Sequence, residues 1–194
     1  RSERTLPAYH YLRRFNGKVF LGAFGTDYYY IRACMETDTY RYSDFKTGNC
    51  YRDTDFNKMT LQDWYYGGAA HATRTIAESC NGIMACLWEY YVAYQLLFPE
   101  KTAFVPLPIN LHKIVSRIRT VPEILNFFIG IQNFKDTVKG TDVMLPVLQE
   151  VQRKHPDLCR ITEVHDVPYA RYQQLMDDAD VQLDQLYSYT PSMN

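Results

Sequence analysis

The chain has 194 residues, 21 basic and 22 acidic side chains, a formal charge of −1 and an apolar share of 46%. That share is too high for a disordered chain, and the balanced charge argues against a broad basic face for nucleic acid, which must neutralise many phosphates. No apolar run approaches the roughly 18–20 residues needed to cross a bilayer.

Arg1-Ser2-Glu3-Arg4 opens the chain without an initiator Met, and the chain closes soon after a strand-like run, so it reads as an interior piece of a longer protein. Lys18–Phe24 reads as a strand, and Gly25-Thr26-Asp27 as a turn at its carboxyl end. Residues 28–60 are rich in Tyr, Asp, Thr and Asn without a clear period, which predicts an irregular, partly exposed insertion. Leu61–Tyr66 and His71–Ser79 look helical, Gly82–Leu87 strand-like, Trp88–Leu96 helical and Thr102–Val105 like a closing strand. Together they describe the later half of an α/β domain.

A boundary follows. Thirteen of the 17 tyrosines lie before residue 109, and Val105-Pro106-Leu107-Pro108-Ile109 holds the chain extended. The two predicted domains are therefore residues 1–108 and 109–194. In the second, Ile124–Ile131 is nearly all apolar, as a strand buried on both faces of a parallel sheet must be. Met144, Val147, Leu148 and Val151 make one helical stripe, started by a Thr141 cap and stopped by His155-Pro156. Arg160–Val164 reads as a strand, Pro168 opens a helix carrying Tyr172, Leu175, Met176 and Ala179, and Val181–Leu183 is the next strand. A β-α-β-α-β order with short connections predicts a parallel, doubly wound sheet.

Lys139-Gly140-Thr141 sits between the buried strand and its helix, which places a cation at a helix N-terminus on the carboxyl edge of the sheet, where ligands gather. The bland alternative is a solvated lysine beside a turn glycine. Leu183–Tyr189 follows the third strand and offers hydroxyls and aromatic faces that suit a sugar, or else a polar loop. Asp27 is a carboxylate at the edge of the first domain, or an Asx turn. His71, His112, His155 and His165 are isolated. The five cysteines are odd in number and contain no CxxC pair, as expected of reduced thiols in a cytoplasmic protein. Neither GxGxxG nor GxxxxGK[ST] occurs.

Phe127-Phe128-Ile129-Gly130, then Lys139-Gly140 before a helix, then Val167-Pro168-Tyr169 and Leu175–Val181, resemble the donor-binding domain of GT-B glycosyltransferases of the family-4 type. Val105–Ile109 resembles that family's interdomain crossover, Gly25-Thr26-Asp27 its acceptor-side turn, and Leu183–Asn194 a subgroup from bacterial surface-polysaccharide pathways. The resemblance implies an α/β fold of two facing Rossmann-like parallel-sheet domains, both incomplete here. It places Lys139 and Gly140 on the donor diphosphate and Asp166 and Val167 at the nucleotide base. Ser188, Tyr189, Thr190 and Asn194 then face the donor sugar, and Gly130 belongs to the same site. The family's arginine after that glycine is Ile131 here, with Lys135 as the nearby substitute cation. Ser188 stands near the first of its paired glutamates.

The implied activity is hexosyl transfer from a nucleotide-diphospho-sugar to a carbohydrate or lipid-linked acceptor, with retention and without metal or other cofactor. The implied location is cytoplasmic, at the inner membrane face by peripheral contact, with no nucleic-acid partner. Gly25, Thr26 and Asp27 are the acceptor-side residues, and Asp27 is the one catalytic candidate. Two other readings compete. One is a nucleotide-sugar epimerase. The other is a non-catalytic protein whose Tyr28–Tyr66 segment is a glycan- or protein-binding surface.

Overall fold

The computed structural model describes residues 2–108, 120–133 and 135–190. The chain divides into two compact units, Arg1–Ile109 and Asn110–Asn194, each mixed α/β with its own parallel sheet.

Unit 1 opens with helix α1 (Ser2–Phe15), which no sequence pattern announces because Pro7 interrupts its first turns. Strand β1 (Phe20–Ala23) runs into the Gly25-Thr26-Asp27 turn. The predicted irregular insertion is instead ordered: helix α2 (Tyr28–Glu36), a short hairpin of β2 (Lys46–Thr47) and β3 (Cys50–Tyr51), and helix α3 (Asp55–Trp64). Helix α4 (Gly68–Ser79), strand β4 (Gly82–Ala85), helix α5 (Trp88–Gln95) and strand β5 (Thr102–Phe104) follow. The main sheet has the order β1-β4-β5, all parallel, with Leu21 opposite Ile83 and Ile83 opposite Thr102.

Strand alternation gives this sheet two unlike faces. Ala23, Ile83 and Ala85 point to one face, where Tyr9 of α1, Tyr29 of α2, Ile76 and Ala77 of α4 and Tyr94 of α5 complete a core. Phe20, Gly22 and Met84 belong to the other face, and Phe20 is 52% exposed. A second core explains the order in residues 28–60. Tyr30, Ile31, Ala33 and Cys34 of α2 close over Tyr40 and Phe45, with Ala93 of α5 behind them. Asn57 ties this region together by donating to the carbonyls of Asp44 and Arg52, both at 2.8 Å. Of the tyrosines read as a binding surface, Tyr29, Tyr30 and Tyr40 are buried, Tyr28, Tyr42 and Tyr65 half-buried, and Tyr51 and Tyr66 exposed.

Unit 2 contains β6 (Leu125–Ile131), α6 (Asp136–Lys139), α7 (Thr141–Lys154), β7 (Cys159–His165), α8 (Tyr169–Asp177) and β8 (Val181–Leu183). Its sheet order is β7-β6-β8, all parallel. Going from β6 to β7 and back across to β8 puts the two right-handed crossovers on opposite faces. Tyr172 of α8 meets Phe128 edge-on, with ring centroids 5.0 Å apart, and lies against Gly130. Ile131 on the opposite face lines a hollow with Leu145 and Pro146 of α7. The buried stripe of α7 is rotated from the predicted one: Thr141 and Leu148 are buried, whereas Val147 and Val151 are exposed. Val105–Pro108 leaves β5 without secondary structure. Ile109 and His112 lie outside the described residues.

Phe45 tests the correction to residues 28–60. It is fully buried, so Phe45→Ala should lower the unfolding free energy by about 3–5 kcal/mol in urea titration, against under ~0.5 kcal/mol for an exposed insertion.

Candidate functional site

The carboxyl edge of the unit 2 sheet gathers the chemistry. In a sheet of this strand order the crevice lies between the central strand and the strand reached by the returning crossover, here β6 and β8. The loop after β6 ends in Lys139-Gly140, and the loop after β8 begins at Asp184. The two are joined. Leu186 N–H donates to the Lys139 carbonyl at 2.7 Å, and the Lys139 Nζ lies 3.6 Å from Asp184 Oδ1. Both side chains are mostly covered, at 19% and 13% exposure. Gly140 has φ +79° and sits so close under Leu186 and Tyr187 that a Cβ would come within 2.6 Å of the Leu186 Cβ.

This geometry corrects two expectations. Lys139 is not an open ammonium at a helix N-terminus: it is the last residue of α6, and its charge is partnered by Asp184. The cause is register, since β8 ends at Leu183 and delivers Asp184 beside it. Thr141 does not cap α7. Gly140 closes α6 and opens α7 at once, no side chain caps α7, and the Thr141 hydroxyl donates to the Asp136 carbonyl at 3.4 Å.

The remaining donor-side residues divide. Ser188 donates to the Thr190 carbonyl at 2.9 Å and Gln185 Nε2 to the same oxygen at 3.3 Å, so Ser188, Tyr189 and Thr190 form a braced loop after β8. Asp166 stands just past β7 with φ +42°, the one positive φ at a non-glycine among the described residues, and accepts a bond from Asn133 beyond β6. Strain of this kind concentrates at functional sites. Val167 is half-buried beside it. Gly130 packs under the Tyr172 hydroxyl, on the α8 face, where a Cβ would crowd that ring. Lys135 precedes α6. Asn194 lies outside the described residues. On the β6/β7 side, the hollow of about 220 Å³ bears Asp136, Asp142 and Glu163, with His165 Nε2 2.6 Å from Glu163. Its carboxylates make it a poor place for an anion. His71 is exposed on α4, and His155 ends α7.

Unit 1 carries a separate cleft of about 720 Å³ beside β1. Leu21, Gly22 and Phe24–Asp27 line one wall, and Ala72, Thr73 and Ile76 of α4 the other. Asp63 and Trp64 of α3 and Gly68 stand on it as well, and none of the three was singled out by the sequence reading. Asp27 is an N-cap: its Oδ1 accepts the N–H groups of Tyr29 and Tyr30 at 2.9 and 3.1 Å, and its Oδ2 accepts the Tyr94 hydroxyl at 2.7 Å. The Asx-turn alternative therefore describes it, and its oxygens are committed to structure. Burial outweighs these bonds and pushes its pKa up to about 6.

Comparison with protein-family models, with curated proteins and with solved structures finds no match. Among the described residues no helix is long and apolar enough to cross a membrane.

Two predictions follow from these contacts. Because the folded pKa of Asp27 lies above its ordinary 3.8, the folded state holds the proton more tightly. That stabilisation is complete below pH 3.8 and is lost as the pH rises through 6, a change on the order of 3 kcal/mol. Asp27→Asn keeps cap and hydroxyl contacts without a charge, so its stability relative to wild type should climb from pH 4 to pH 7 in urea titrations; parallel curves would refute the assignment. Gly140→Ala meets both the left-handed backbone and the Leu186 clash, and should cost about 1–3 kcal/mol by the same measurement.

Proposed function

We propose that this chain is part of a GT-B glycosyltransferase that moves a sugar from a nucleotide-diphospho-sugar to a carbohydrate or lipid-linked acceptor, with retention and without metal. The observation that carries the reading is the junction at the β6/β8 switch point: Lys139 and Asp184 paired at 3.6 Å, in the residues that lead into α7, whose start no side chain caps. A diphosphate arriving there meets a lysine held in place and a helix N-terminus, both of which favour negative charge.

The chemistry asked of this site is electrostatic. When the sugar leaves, charge grows on the departing diphosphate, and a fixed ammonium and helix dipole stabilise it without reorganising. Asp184 sets the terms. It holds the ammonium at the crevice in the absence of donor, and binding exchanges a carboxylate for a phosphate oxygen. The braced Ser188–Thr190 loop offers groups for the donor sugar, and strained Asp166 stands toward the base. On the acceptor side, the mouth of the unit 1 cleft supplies Thr26, Asp63 and the partly exposed Phe24 and Trp64 rings, the mixture of polar groups and aromatic faces that suits a saccharide. Asp27 supports that wall as a cap and is not assigned as the base.

Thermal unfolding of the chain with UDP, GDP or ADP tests the donor site. One of these nucleotides should raise the Tm of wild type, and Lys139→Ala should remove the shift. Asp184→Asn frees the ammonium and should tighten that nucleotide by roughly 1 kcal/mol, about fivefold in Kd. Equal loss of nucleotide response in both variants would mean that the pair only holds the loops together, and would defeat the proposal.

A further inference from the structure

We infer that the acceptor taken at the mouth of the unit 1 cleft is an amino sugar, whose protonated amine meets the Asp63 carboxylate and the Phe24 and Trp64 rings while its hydroxyls reach Thr26 and Thr73. The site is the acceptor site of the glycosyltransferase reading and rests on that reading for the sugar; its preference for a cation stands on the cleft alone.

The walls carry one sign of charge. Asp27 and Asp63 are the only titratable side chains among the described residues that line the cleft, and both are acidic. Asp63 stands exposed near the end of α3 and makes no ion pair or side-chain hydrogen bond among the described residues. An anionic ligand meets like charge here, whereas a cation meets an unpaired carboxylate. Helix ends do not decide the sign. α3 ends at Trp64 and α4 begins at Gly68, so the carbonyl end of one and the N–H end of the other oppose each other across a short turn.

The rings serve both parts of such a ligand. Phe24 is 57% exposed and Trp64 40%, and both line the cleft. Aromatic faces attract an ammonium, and they also pack on the apolar face of a saccharide.

Thr73 of α4 marks the floor. It lines the cleft at 8% exposure and makes no side-chain hydrogen bond among the described residues. Thr60 on α3 returns its hydroxyl to the Phe56 carbonyl at 2.8 Å, a bond open to any mid-helix threonine, and Thr73 forgoes it. A buried hydroxyl without a partner calls for one, and a sugar hydroxyl both donates and accepts. Thr73 lies five residues into α4 from Gly68, about 7.5 Å along the helix axis, so a ligand entering at the mouth reaches it by spanning little more than one sugar ring. These groups come from the turn after β1, the end of α3 and the start of α4, so the site does not depend on what pairs with the outer edge of β1.

The chain has two tryptophans, so Trp88→Phe leaves Trp64 as the one indole reporter. In that background, the glucosamine trisaccharide in mildly acidic buffer should change Trp64 emission and bind about tenfold tighter than its N-acetylated counterpart, which keeps the ring and loses the charge. Asp63→Asn should level the two sugars, and Thr73→Val should weaken both alike. Equal binding of the two sugars, or a preference that survives Asp63→Asn, would overturn the proposal. So would equal binding of putrescine, which carries the charge without the ring. Failure of all three ligands while a nucleotide still raises the Tm would sink the amino-sugar site and leave the donor site standing; amino-sugar binding without any nucleotide response would do the reverse.

Discussion

A strand that feeds a right-handed crossover can place the following helix on only one face of a parallel sheet, and the direction of travel along the sheet decides which face. The two units resolve this constraint differently. In unit 2 the chain moves from β6 to β7 and returns past β6 to β8, so α7 and α8 fall on opposite faces and the loops after β6 and β8 meet at the carboxyl edge. In unit 1 it moves steadily from β1 to β4 to β5, so its connecting helices share one face. The meeting of the β6 and β8 loops and the one-sided helix layer of unit 1 both follow from strand order before any side chain is considered.

Side chains then select among the openings that topology leaves. The carboxyl edge of unit 2 has two sides of unlike charge. The β6/β7 side carries Asp136, Asp142 and Glu163, while the β6/β8 side carries Lys139 against Asp184. A diphosphate brought to the first meets like charge; at the second it meets an ammonium already desolvated and oriented. The cost of taking Lys139 out of water is offset by Asp184, and such pairs are less a source of stability than a means of fixing a charge in position. Gly140 makes the junction geometrically feasible, because a side chain there would drive Leu186 and Tyr187 away from the turn.

Much of the architecture was legible because it rests on periodicity. The near-continuous apolar run Leu125–Ile131 became the central strand, and Val181–Leu183 and Cys159–His165 took its two sides. Residues 28–60 were misread for a physical reason. Their apolar content is tyrosine, which hydropathy scores weakly, yet Tyr30 and Tyr40 bury rings as large as any in a core while their hydroxyls find partners, Tyr40 on the Glu89 carbonyl. The Lys139 position was legible and its electrostatics were not, because Asp184 lies 45 positions along the chain and only strand pairing brings it near. Likewise nothing local to Gly25-Thr26-Asp27 reveals that Tyr94 closes on the carboxylate. The unit 1 cleft was invisible for a related reason: its walls come from β1, α3 and α4, which no single motif spans.

The two aspartates show how environment sets the use of one side chain. Asp27 collects three neutral donors in a buried setting, and desolvation wins over them, raising its pKa. A carboxylate so placed anchors a helix, with three of its roughly four acceptor sites taken by fixed donors. Asp184 instead faces a lysine at 3.6 Å, longer than a tight ion-paired hydrogen bond of about 2.7–2.9 Å, in a loop whose neighbours carry hydroxyls. An ammonium held at that distance is positioned without being saturated, since it has three donors and Asp184 Oδ1 stands at the edge of its reach. The difference between a cap and a counter-ion thus comes down to what surrounds the carboxylate: Asp27 meets fixed neutral donors, whereas Asp184 stands beside a cation that strand pairing brings to it.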